Sequence, residues 1–306
     1  MVHLSIVIPV YNESSLIDEL VRRVKANVKL ITEDYEIIIV DDGSQDNTWK
    51  SIENEAETEN RLKGIKFSRN FGHHYAITAG LNNAKGDWVV VMDGDLQDRP
   101  EVINQLYTKA QQGFDIVVVS RTKRPERLYY KILQKIFYKI LIALTGVKFD
   151  SRQANFSIIN RKVVNAFMEF PENLRFYGTT LMWLGFKRSL VLAEHGVRFS
   201  GRPSYTFKKR LKLALDIIIA FSERPLRITI YFGVLIFMIS TFALILMFSK
   251  SSFGNDTFLG WQIATSSIFF VGGIILIVLG ILGIYLGKIF IEVKRRPLYI
   301  ISEQLK

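Results

Sequence analysis

Residues 88–98 read WVVVMDGDLQD, an apolar run that is followed at once by acidic and amide side chains. A short continuous apolar run bounded by turn residues is typical of a buried strand. Beyond its end, Asp93, Asp95 and Gln97 carry side-chain oxygen atoms at alternate positions. Such ligands hold Mg²⁺ or Mn²⁺ when substrate phosphates complete the coordination shell. The stretch therefore predicts a strand end that binds a divalent metal and a nucleoside diphosphate, although the same Asp residues are also typical of turns and helix caps.

The N-terminal half alternates strand and helix patterns, as parallel crossover units do. The predicted strands are Leu4 to Val10, Tyr35 to Val40, Gly64 to Phe67, Trp88 to Met92 and Phe114 to Val119. The predicted helices lie near Ser15 to Leu30, Asn47 to Glu57, Tyr75 to Ala84 and Pro100 to Gln112. Open sheets of this kind bind ligands beyond the carboxyl ends of their strands. We therefore expect an α/β fold with its site at that edge.

Two other predicted strands also end in polar groups. Residues 9–13 read PVYNE after the first strand, and residues 41–46 read DDGSQD after the second. The carboxylates can accept hydrogen bonds from a base and a ribose, and Tyr11 offers a flat face. Each group is also typical of a helix cap. Three strand ends that carry such groups together favour a nucleotide site.

The C-terminal part contains two long apolar stretches, residues 226–248 and 261–287, separated by a short polar loop. Each exceeds the roughly 20 helical residues that cross a bilayer, and the alternative is a pair of buried core helices. Basic residues flank the pair on its outer sides: Arg224, Arg227, Lys288, Lys294, Arg295 and Arg296. By the positive-inside rule, both ends of the pair should face the cytoplasm.

These patterns predict a cytosolic domain over residues 1–223 and a membrane domain over residues 224–306 that ends in a short cytosolic tail. The chain opens with the strand-like LSIVI at residues 4–8, so no cleaved signal is expected. It contains no cysteine, which excludes disulfides and thiolate metal sites and is typical of a cytosolic domain.

The formal net charge of +11 is concentrated near the apolar stretches. Six basic and no acidic residues lie between residues 196 and 215 and run into an apolar helical pattern. We expect a basic amphipathic helix over about residues 206–223 that lies on anionic lipid. Residues 127–144 repeat the pattern, with core packing as an equal alternative. No nucleic-acid partner is expected, because the charge lies beside the spans and no nucleic-acid module is present.

Several segments together carry a resemblance to a known family. They are SIVIPVYNE at residues 5–13, VDDGS at 40–44, SRNFGH at 68–73, MDGDLQDRPE at 92–101, SR at 120–121 and FSGRPSY at 199–205. With these segments and the paired spans, nearly the whole chain resembles family 2 glycosyltransferases, and within them the polyprenyl-phosphate glycosyltransferases. The resemblance implies a GT-A (Rossmann-like) domain that transfers sugar from a nucleotide sugar to a membrane-embedded polyprenyl phosphate. It also implies location in a bacterial inner or plasma membrane.

The resemblance further implies roles for individual residues. The residues expected to bind the nucleotide sugar are Pro9, Tyr11, Glu13, Asp41, Asp42, Ser44, Arg69 and Asp93. Those expected around the metal, Mg²⁺ or Mn²⁺, are Asp93, Asp95 and Gln97. Those expected to bind the lipid phosphate are Arg121, Arg152, Arg202 and Ser204. The expected catalytic residues are Asp95, Arg121 and Arg202. The two arginines suit this role because a guanidinium group can hold two phosphate oxygens at once.

The donor implied is UDP-glucose and the acceptor undecaprenyl or dolichyl phosphate, with mannosyl or other hexosyl transfer from a GDP or UDP sugar as the alternative. A sugar hydroxyl needs a general base when it attacks, but no adjacent acid pair follows Asp98. A phosphate monoester needs none, because its second pKa lies near about 6. We therefore expect a single in-line displacement that inverts the anomeric carbon.

Three features leave the details open. Residues 154–157 read ANFS where relatives commonly have GDFR or SGFR, so the acceptor contacts of Asn155 and Ser157 are undetermined. His73 and His74 lie in a helix-start segment away from the metal motif and are not expected to bind metal. Glycines in the second apolar stretch are compatible with a homo-oligomer or with no interface at all.

Other functions are less consistent with the sequence. A processive polysaccharide synthase would show a Gln-x-x-Arg-Trp signature and more spans. A transporter would need polar residues within several spans. A non-catalytic membrane scaffold would be expected to have lost the metal carboxylates, which are present at Asp93 and Asp95.

Overall fold

The computed structural model describes residues 2–121, 153–170, 172, 176–193, 231–236, 238–239, 242 and 257–306. The chain forms two compact units. The sheet unit comprises Met1–Leu128, Phe149–Ser204 and Pro297–Lys306, and the helical unit comprises Tyr129–Lys148 and Tyr205–Arg296. The predicted division at residue 223 stays a prediction, because residues 194–230 lie outside the described ones.

The sheet unit is built on eight strands. They are β1 (Leu4–Val10), β2 (Tyr35–Asp41), β3 (Leu62–Phe67), β4 (Trp88–Val91), β5 (Ile116–Arg121), β6 (Gln153–Asn160), β7 (Arg188–Ala193) and β8 (Ile301–Gln304). The α-helices described in this unit are α1 (Ile17–Val28), α2 (Thr48–Thr58), α3 (His73–Asn83), α4 (Ile103–Ala110), α5 (Arg161–Met168) and α6 (Tyr177–Trp183), and a 3₁₀ turn (Pro100–Val102) precedes α4. The strand order is β7-β5-β6-β4-β1-β2-β3-β8.

The predicted strands and helices of the first half are confirmed, with ends shifted by a few residues. The strands β1, β2, β3 and β4 pair parallel, as the crossover pattern predicts. Two later strands are reversed: β6 pairs antiparallel with both β4 and β5, and β8 pairs antiparallel with β3. Both reversed strands come after the regular alternation of strands and helices has ended. Their polarity is set by long-range pairing that no local pattern encodes.

Apolar layers cover both faces of the central strands. In β1, Ile6 and Ile8 pack against α1 and α4 residues on one face, while Val7 faces the layer that contains α3. All seven residues of β1 and of β2 are buried. Burial on both faces is typical of parallel strands flanked by helices, and it explains why these strands read as continuous apolar runs.

A buried polar network lies near the amino ends of β1 and β2, at the edge opposite the predicted site. Glu36 accepts hydrogen bonds from the Ser5 hydroxyl at 2.6 Å, the Lys63 ammonium at 2.5 Å and the Lys85 backbone N–H at 2.6 Å. Burial alone would raise the pKa of Glu36, but these three donors together lower it below its ordinary value. The network therefore favours the ionised carboxylate and joins three segments of chain.

The last residues of the chain complete the sheet as strand β8. Tyr299 stacks on Phe67 with ring centroids 5.0 Å apart. Glu303 accepts hydrogen bonds from the Trp49 indole N–H at 3.0 Å and from the Lys66 ammonium at 2.6 Å. The tail thus covers the edge of β3, which would otherwise present unpaired backbone groups to water.

The helical unit contains one long helix, α7 (Thr257–Val293), and residues 231–236 are also helical. Within α7, Phe270–Val293 has a mean hydropathy of 2.6 and is long enough to cross a membrane. In the part of the chain that the structure describes, this is the one such helix. The prediction of two spans is not confirmed, since most of the stretch 226–248 lies outside the described residues.

Replacing Glu36 by Gln should destabilise the protein at neutral pH by about 1–3 kcal/mol, because buried donors lose a charged acceptor. We expect thermal unfolding of the detergent-solubilised full chain, followed by intrinsic fluorescence, to show a melting temperature lower by several degrees. Because the folded-state pKa of Glu36 is lowered, the stabilisation should be present at neutral pH and lost as pH falls through that pKa. Equal melting temperatures of the two proteins at pH 7 would contradict the prediction.

Ending the chain at Arg296 should also lower the melting temperature, because it removes the Tyr299 stacking and the charge-assisted bonds of Glu303. A loss of about 2 kcal/mol or more is expected. The same unfolding measurement on a chain that lacks only the exposed Lys306 provides the control, which should behave as the full chain does.

Candidate functional site

The loops that follow β1 and β2 are linked side by side at the carboxyl edge of the sheet. The register pairs Val10 with Asp41 at the ends of the two strands. The Asn12 N–H donates to the Ser44 hydroxyl at 2.9 Å, and the Gln45 N–H returns a bond to the Asn12 side chain at 2.9 Å. These reciprocal bonds hold residues 9–13 and residues 41–46 together, so that the two segments form one continuous surface.

The loop between β3 and α3 joins this surface through Asp42. Its carboxylate accepts hydrogen bonds from the Phe71 N–H at 2.7 Å and the Gly72 N–H at 3.0 Å. Gly43, at φ +69, lies so close to the next loop that a Cβ there would be 2.3 Å from the Arg69 carbonyl carbon. Glycine is therefore required at residue 43 for both its left-handed backbone and its close approach.

The metal motif forms a tight loop after β4. The Asp98 carboxylate accepts from the Asp93 N–H at 3.3 Å, and the Asp95 carboxylate accepts from the Gln97 N–H at 3.0 Å. Leu96 adopts φ 59, a conformation that costs a non-glycine residue about 1–3 kcal/mol, while its side chain is buried at 2% exposure. Gly94 fits because a Cβ would lie 2.5 Å from Val10. The loop is thus held against β1 in a fixed conformation.

The paired aspartates after β2 differ in how their oxygens are used. One oxygen of Asp41 accepts from the Ser44 N–H at 2.9 Å and from the Ser44 hydroxyl. Its other oxygen, Oδ2, is buried and has no hydrogen-bond partner among the described residues. Burial raises the pKa of Asp41 more than the Ser44 bonds lower it. Burial likewise raises the pKa of Asp42 more than its bonds to Phe71 and Gly72 lower it.

The donor set at the metal motif fits a hard cation that is shared with a substrate. Asp93, Asp95 and Gln97 are all partly buried at the edge of the sheet. Within the described ranges, no three His, Cys, Asp or Glu side chains are grouped to hold a metal ion by themselves. Mg²⁺ and Mn²⁺ are commonly held by one or two carboxylates while substrate phosphates supply other ligands. The residues therefore fit a metal that binds together with a diphosphate.

His73 lies beside the metal motif, so the expectation that it is remote from the motif is wrong. Its Nε2 is 3.2 Å from Oδ1 of Asp93 and 3.2 Å from Nδ2 of Asn155. Burial lowers the pKa of His73, but the nearby Asp93, Asp42 and Asp98 carboxylates raise it above its usual value. The spacing of twenty residues between His73 and Asp93 gave no indication of this contact, because it depends on the neighbouring positions of α3 and β4.

His74 has a different environment. Its Nδ1 accepts from the Tyr177 backbone N–H at 3.4 Å, and its ring meets the Phe176 ring edge to face at 5.3 Å. Burial lowers the pKa of His74 to about 3, so the imidazole is neutral. His74 therefore packs α3 against α6, a contact that the sequence did not predict.

The structure accounts for Ser157, one of the two departures from the family pattern. Its hydroxyl shares a 2.8 Å hydrogen bond with the buried Tyr177 hydroxyl and donates to the Asn155 carbonyl at 2.8 Å. Burial raises the pKa of Tyr177 further above its ordinary value. Ser157 thus belongs to the packing between β6 and α6.

Of the remaining predicted site residues, those that the structure describes lie on or near the same edge. Tyr11 is 42% exposed, Pro9 is buried in β1, and Glu13 donates its N–H to the Thr48 hydroxyl at 2.9 Å. The Arg69 guanidinium lies 4.2 Å from the centre of the Phe71 ring. Arg121 is the last residue of β5, and its side chain is outside the description. Arg152, Arg202 and Ser204 lie outside the described residues.

The family model and the similar sequences indicate the same protein family. A family model described as Glycosyl transferase family 2 matches residues 5–168. An uncharacterized glycosyltransferase of Synechocystis sp. is 37% identical over 304 residues, which cover 99% of this chain and 95% of the relative. The SfII prophage-derived bactoprenol glucosyl transferase of Shigella flexneri is 35% identical over 303 residues, covering 98% and 97%. The prophage bactoprenol glucosyl transferase homolog of Escherichia coli is 34% identical over 306 residues, covering 99% of each.

Two solved structures share the fold. One is the glucosyl-3-phosphoglycerate synthase of Mycobacterium tuberculosis in complex with Mn²⁺, UDP and phosphoglyceric acid, with a TM-score of 0.52, 17% identity, and coverage of 71% of this chain and 76% of that chain. The other is a mannosyltransferase of Pyrobaculum calidifontis in complex with GDP-Man and Mn²⁺, with a TM-score of 0.51, 15% identity, and coverage of 96% and 86%. Together with the family match, they confirm the predicted GT-A-like α/β sheet fold.

Replacing Asp41 by Asn should raise the melting temperature of the full chain at pH 7. Because burial raises the folded-state pKa of Asp41, the protein loses stability as pH rises through that value, and Asn removes the buried charge. This increase in melting temperature should become smaller as the pH is lowered toward the ordinary pKa of Asp, which is about 3.9.

Asp46→Asn is the matched control for this measurement. Asp46 is exposed, and although desolvation raises its pKa, the hydrogen bonds from Thr48 and Ser14 hold that pKa below its usual value. Its substitution should therefore lower the melting temperature at pH 7. A lower melting temperature for Asp41→Asn as well would show that the buried carboxylate does not destabilise the fold.

Proposed function

The chain belongs to glycosyl transferase family 2, and we propose that it transfers glucose from a nucleotide sugar to a polyprenyl phosphate of the bactoprenol type. The observation that carries this proposal is the 34–35% identity to bactoprenol glucosyl transferases over nearly the whole chain. The similarity includes the apolar C-terminal part as well as the sheet unit. A soluble acceptor would not require α7, whereas a polyprenyl lipid is reached at a membrane surface.

The nucleoside would bind between the loops that follow β1 and β2. Asp41 supports this assignment, because its buried Oδ2 lacks a donor among the described residues and a base N–H could supply one. The exposed face of Tyr11 can stack on a base, and Glu13, Ser44 and Pro9 border the same surface. We propose UDP-glucose as the donor. A GDP sugar remains the second candidate, because uracil and guanine both present a ring N–H.

Arg69 and the metal motif would bind the diphosphate. Asp93, Asp95 and Gln97 would hold Mg²⁺ or Mn²⁺, which stabilises the negative charge of the departing nucleoside diphosphate. The fixed loop conformation at Leu96 and Gly94 presents these side chains without further ordering when the substrate binds.

The acceptor phosphate would attack without a protein base. One oxygen of the ionised lipid phosphate forms a bond to the anomeric carbon as the bond from that carbon to the diphosphate oxygen breaks, and the electron pair leaves with the nucleoside diphosphate. The configuration at carbon is inverted. Arg121, Arg152, Arg202 and Ser204 are proposed to orient the lipid phosphate for this displacement, with Arg121 and Arg202 nearest the reacting atoms.

A cytoplasmic orientation of the sheet unit is part of the proposal. Lys288, Lys294, Arg295 and Arg296 lie at or just beyond the end of the apolar part of α7. Basic residues beside an apolar span favour the cytoplasmic side of the membrane. A first span over 226–248 remains part of the proposal.

Transfer of labelled sugar from UDP-glucose to undecaprenyl phosphate by detergent-purified full-length protein tests the proposal. We expect an organic-extractable, acid-labile product that forms with Mg²⁺ or Mn²⁺ and not in excess chelator. GDP-mannose in a parallel reaction distinguishes the two donor candidates. Intact nucleotide binding without lipid product from a broad donor panel would favour a non-catalytic scaffold.

In the same assay, Asp95→Asn should reduce transfer by about 100-fold or more, since an electrostatic interaction with the developing charge is lost. Asp87→Asn is the matched control, because Asp87 is an exposed aspartate beside the opposite end of β4. Both variants should retain the melting temperature of the parent protein. Comparable transfer by the two variants would remove Asp95 from the site.

A further inference from the structure

Three polar side chains from separate elements form a continuous contact beside the metal motif. Asn155 on β6 lies 3.2 Å from Nε2 of His73 at the start of α3, and the same Nε2 lies 3.2 Å from Oδ1 of Asp93 at the end of β4. We refer to these residues as the Asn155–His73–Asp93 chain. Its members are far apart in sequence, so only the pairing of β4 with β6 and the packing of α3 in the sheet unit bring them together.

The position of His73 is fixed by its neighbours on both sides. Gly72 precedes it with φ +119, and the Gly72 N–H is bound by the Asp42 carboxylate. His74 follows it, is partly buried, and contacts Tyr177 and Phe176. The His73 ring therefore reaches Asp93 from a backbone that is held at both ends, which is what a residue needs in order to orient another side chain.

One arrangement of protons satisfies both contacts of Nε2. A hydrogen on Nε2 can be shared between the Asp93 carboxylate and the amide oxygen of Asn155, which faces the ring after a half-turn of the amide. Nε2 then serves as a donor and has no lone pair for a cation. His73 consequently contacts the metal motif through Asp93 and does not bind a metal itself.

We propose that His73 is a positioning residue that orients Asp93 for metal binding, and that Asn155 in turn fixes the His73 ring. The inference rests on the proposed metal assignment of Asp93. Oδ1 of Asp93 lies 3.2 Å from Nε2 of His73. A carboxylate with one oxygen held by such a contact would lose rotational freedom and offer its other oxygen to a cation. Partners of this kind that lie behind a metal ligand typically change metal affinity about 10–100-fold.

The Asn155–His73–Asp93 chain also gives a reason for asparagine at residue 155. A carboxylate there would place a second negative charge beside His73 and compete with Asp93 for the same N–H. The neutral amide can accept from His73 without that competition. Asn155 and His73 therefore form a matched pair, and the role of Asn155 is exerted through His73.

Mn²⁺ binding to the detergent-solubilised full chain, followed by the EPR signal of free Mn²⁺ with and without saturating UDP, tests the inference independently of turnover. His73→Gln and His73→Met form the informative pair, because the side chains have similar length and only Gln can donate a hydrogen bond. We expect Met to weaken Mn²⁺ binding about 10–100-fold and Gln to retain most of it. Asn155→Ala should weaken binding by a smaller factor.

Asp93→Asn separates the inference from the proposed function. If Asp93→Asn leaves Mn²⁺ affinity unchanged, the metal assignment itself is wrong. If Asp93→Asn weakens binding while His73→Met and His73→Gln both match the parent, the metal assignment stands and the role of His73 is overturned.

The double variant distinguishes positioning from a general structural effect. His73→Met should have little further effect on Mn²⁺ affinity in the Asp93→Asn background, because its action is exerted through that carboxylate. Equal fold-losses in the two backgrounds would overturn the inference. Melting temperatures of all variants identify any loss that follows from unfolding.

Discussion

The carboxyl edge of the sheet depends on aspartate side chains that accept hydrogen bonds from the backbone N–H groups of neighbouring loops. Asp42 binds the N–H groups of Phe71 and Gly72, and Asp98 binds the N–H of Asp93. Loop N–H groups beyond the ends of parallel strands have no ladder partner and need another acceptor. The Asp42 bonds join the loops after β2 and β3, and the Asp98 bond closes the loop after β4 on itself. Every proposed role at the site presupposes that these loops keep this arrangement.

The aspartates at this edge therefore serve two purposes. Asp42 and Asp98 are occupied by backbone donors and maintain the shape of the loops. Asp41 keeps a buried oxygen that has no partner in the part of the chain that the structure describes, and burial raises the pKa of this carboxyl group. A site that retains an unsatisfied buried acceptor is less stable than it could be, and a ligand that supplies the missing donor recovers that stability.

The C-terminal strand supports the loop that follows β3. Tyr299 stacks on Phe67, and the Ser68 N–H donates to the Ile300 carbonyl at 3.0 Å. Ser68 begins the loop that leads to Gly72 and His73. The residues of the C-terminal tail thus pair with β3 and support the loop beside the metal motif.

By itself, the sequence determined the elements of the first half and the clustering of Asp41, Asp42, Asp93 and Asp95, because apolar periodicity is local and parallel strands end at a common edge. The reversed direction of strands β6 and β8, and the contact of His73 with Asp93 and Asn155, became visible in the folded protein alone. These features arise from pairing and packing between residues far apart in the chain, and no spacing or propensity records such contacts. The sequence identified the acidic residues of the site but not their hydrogen-bond partners. These partners, which give Asp41 and Asp42 different roles, are known only from the folded structure.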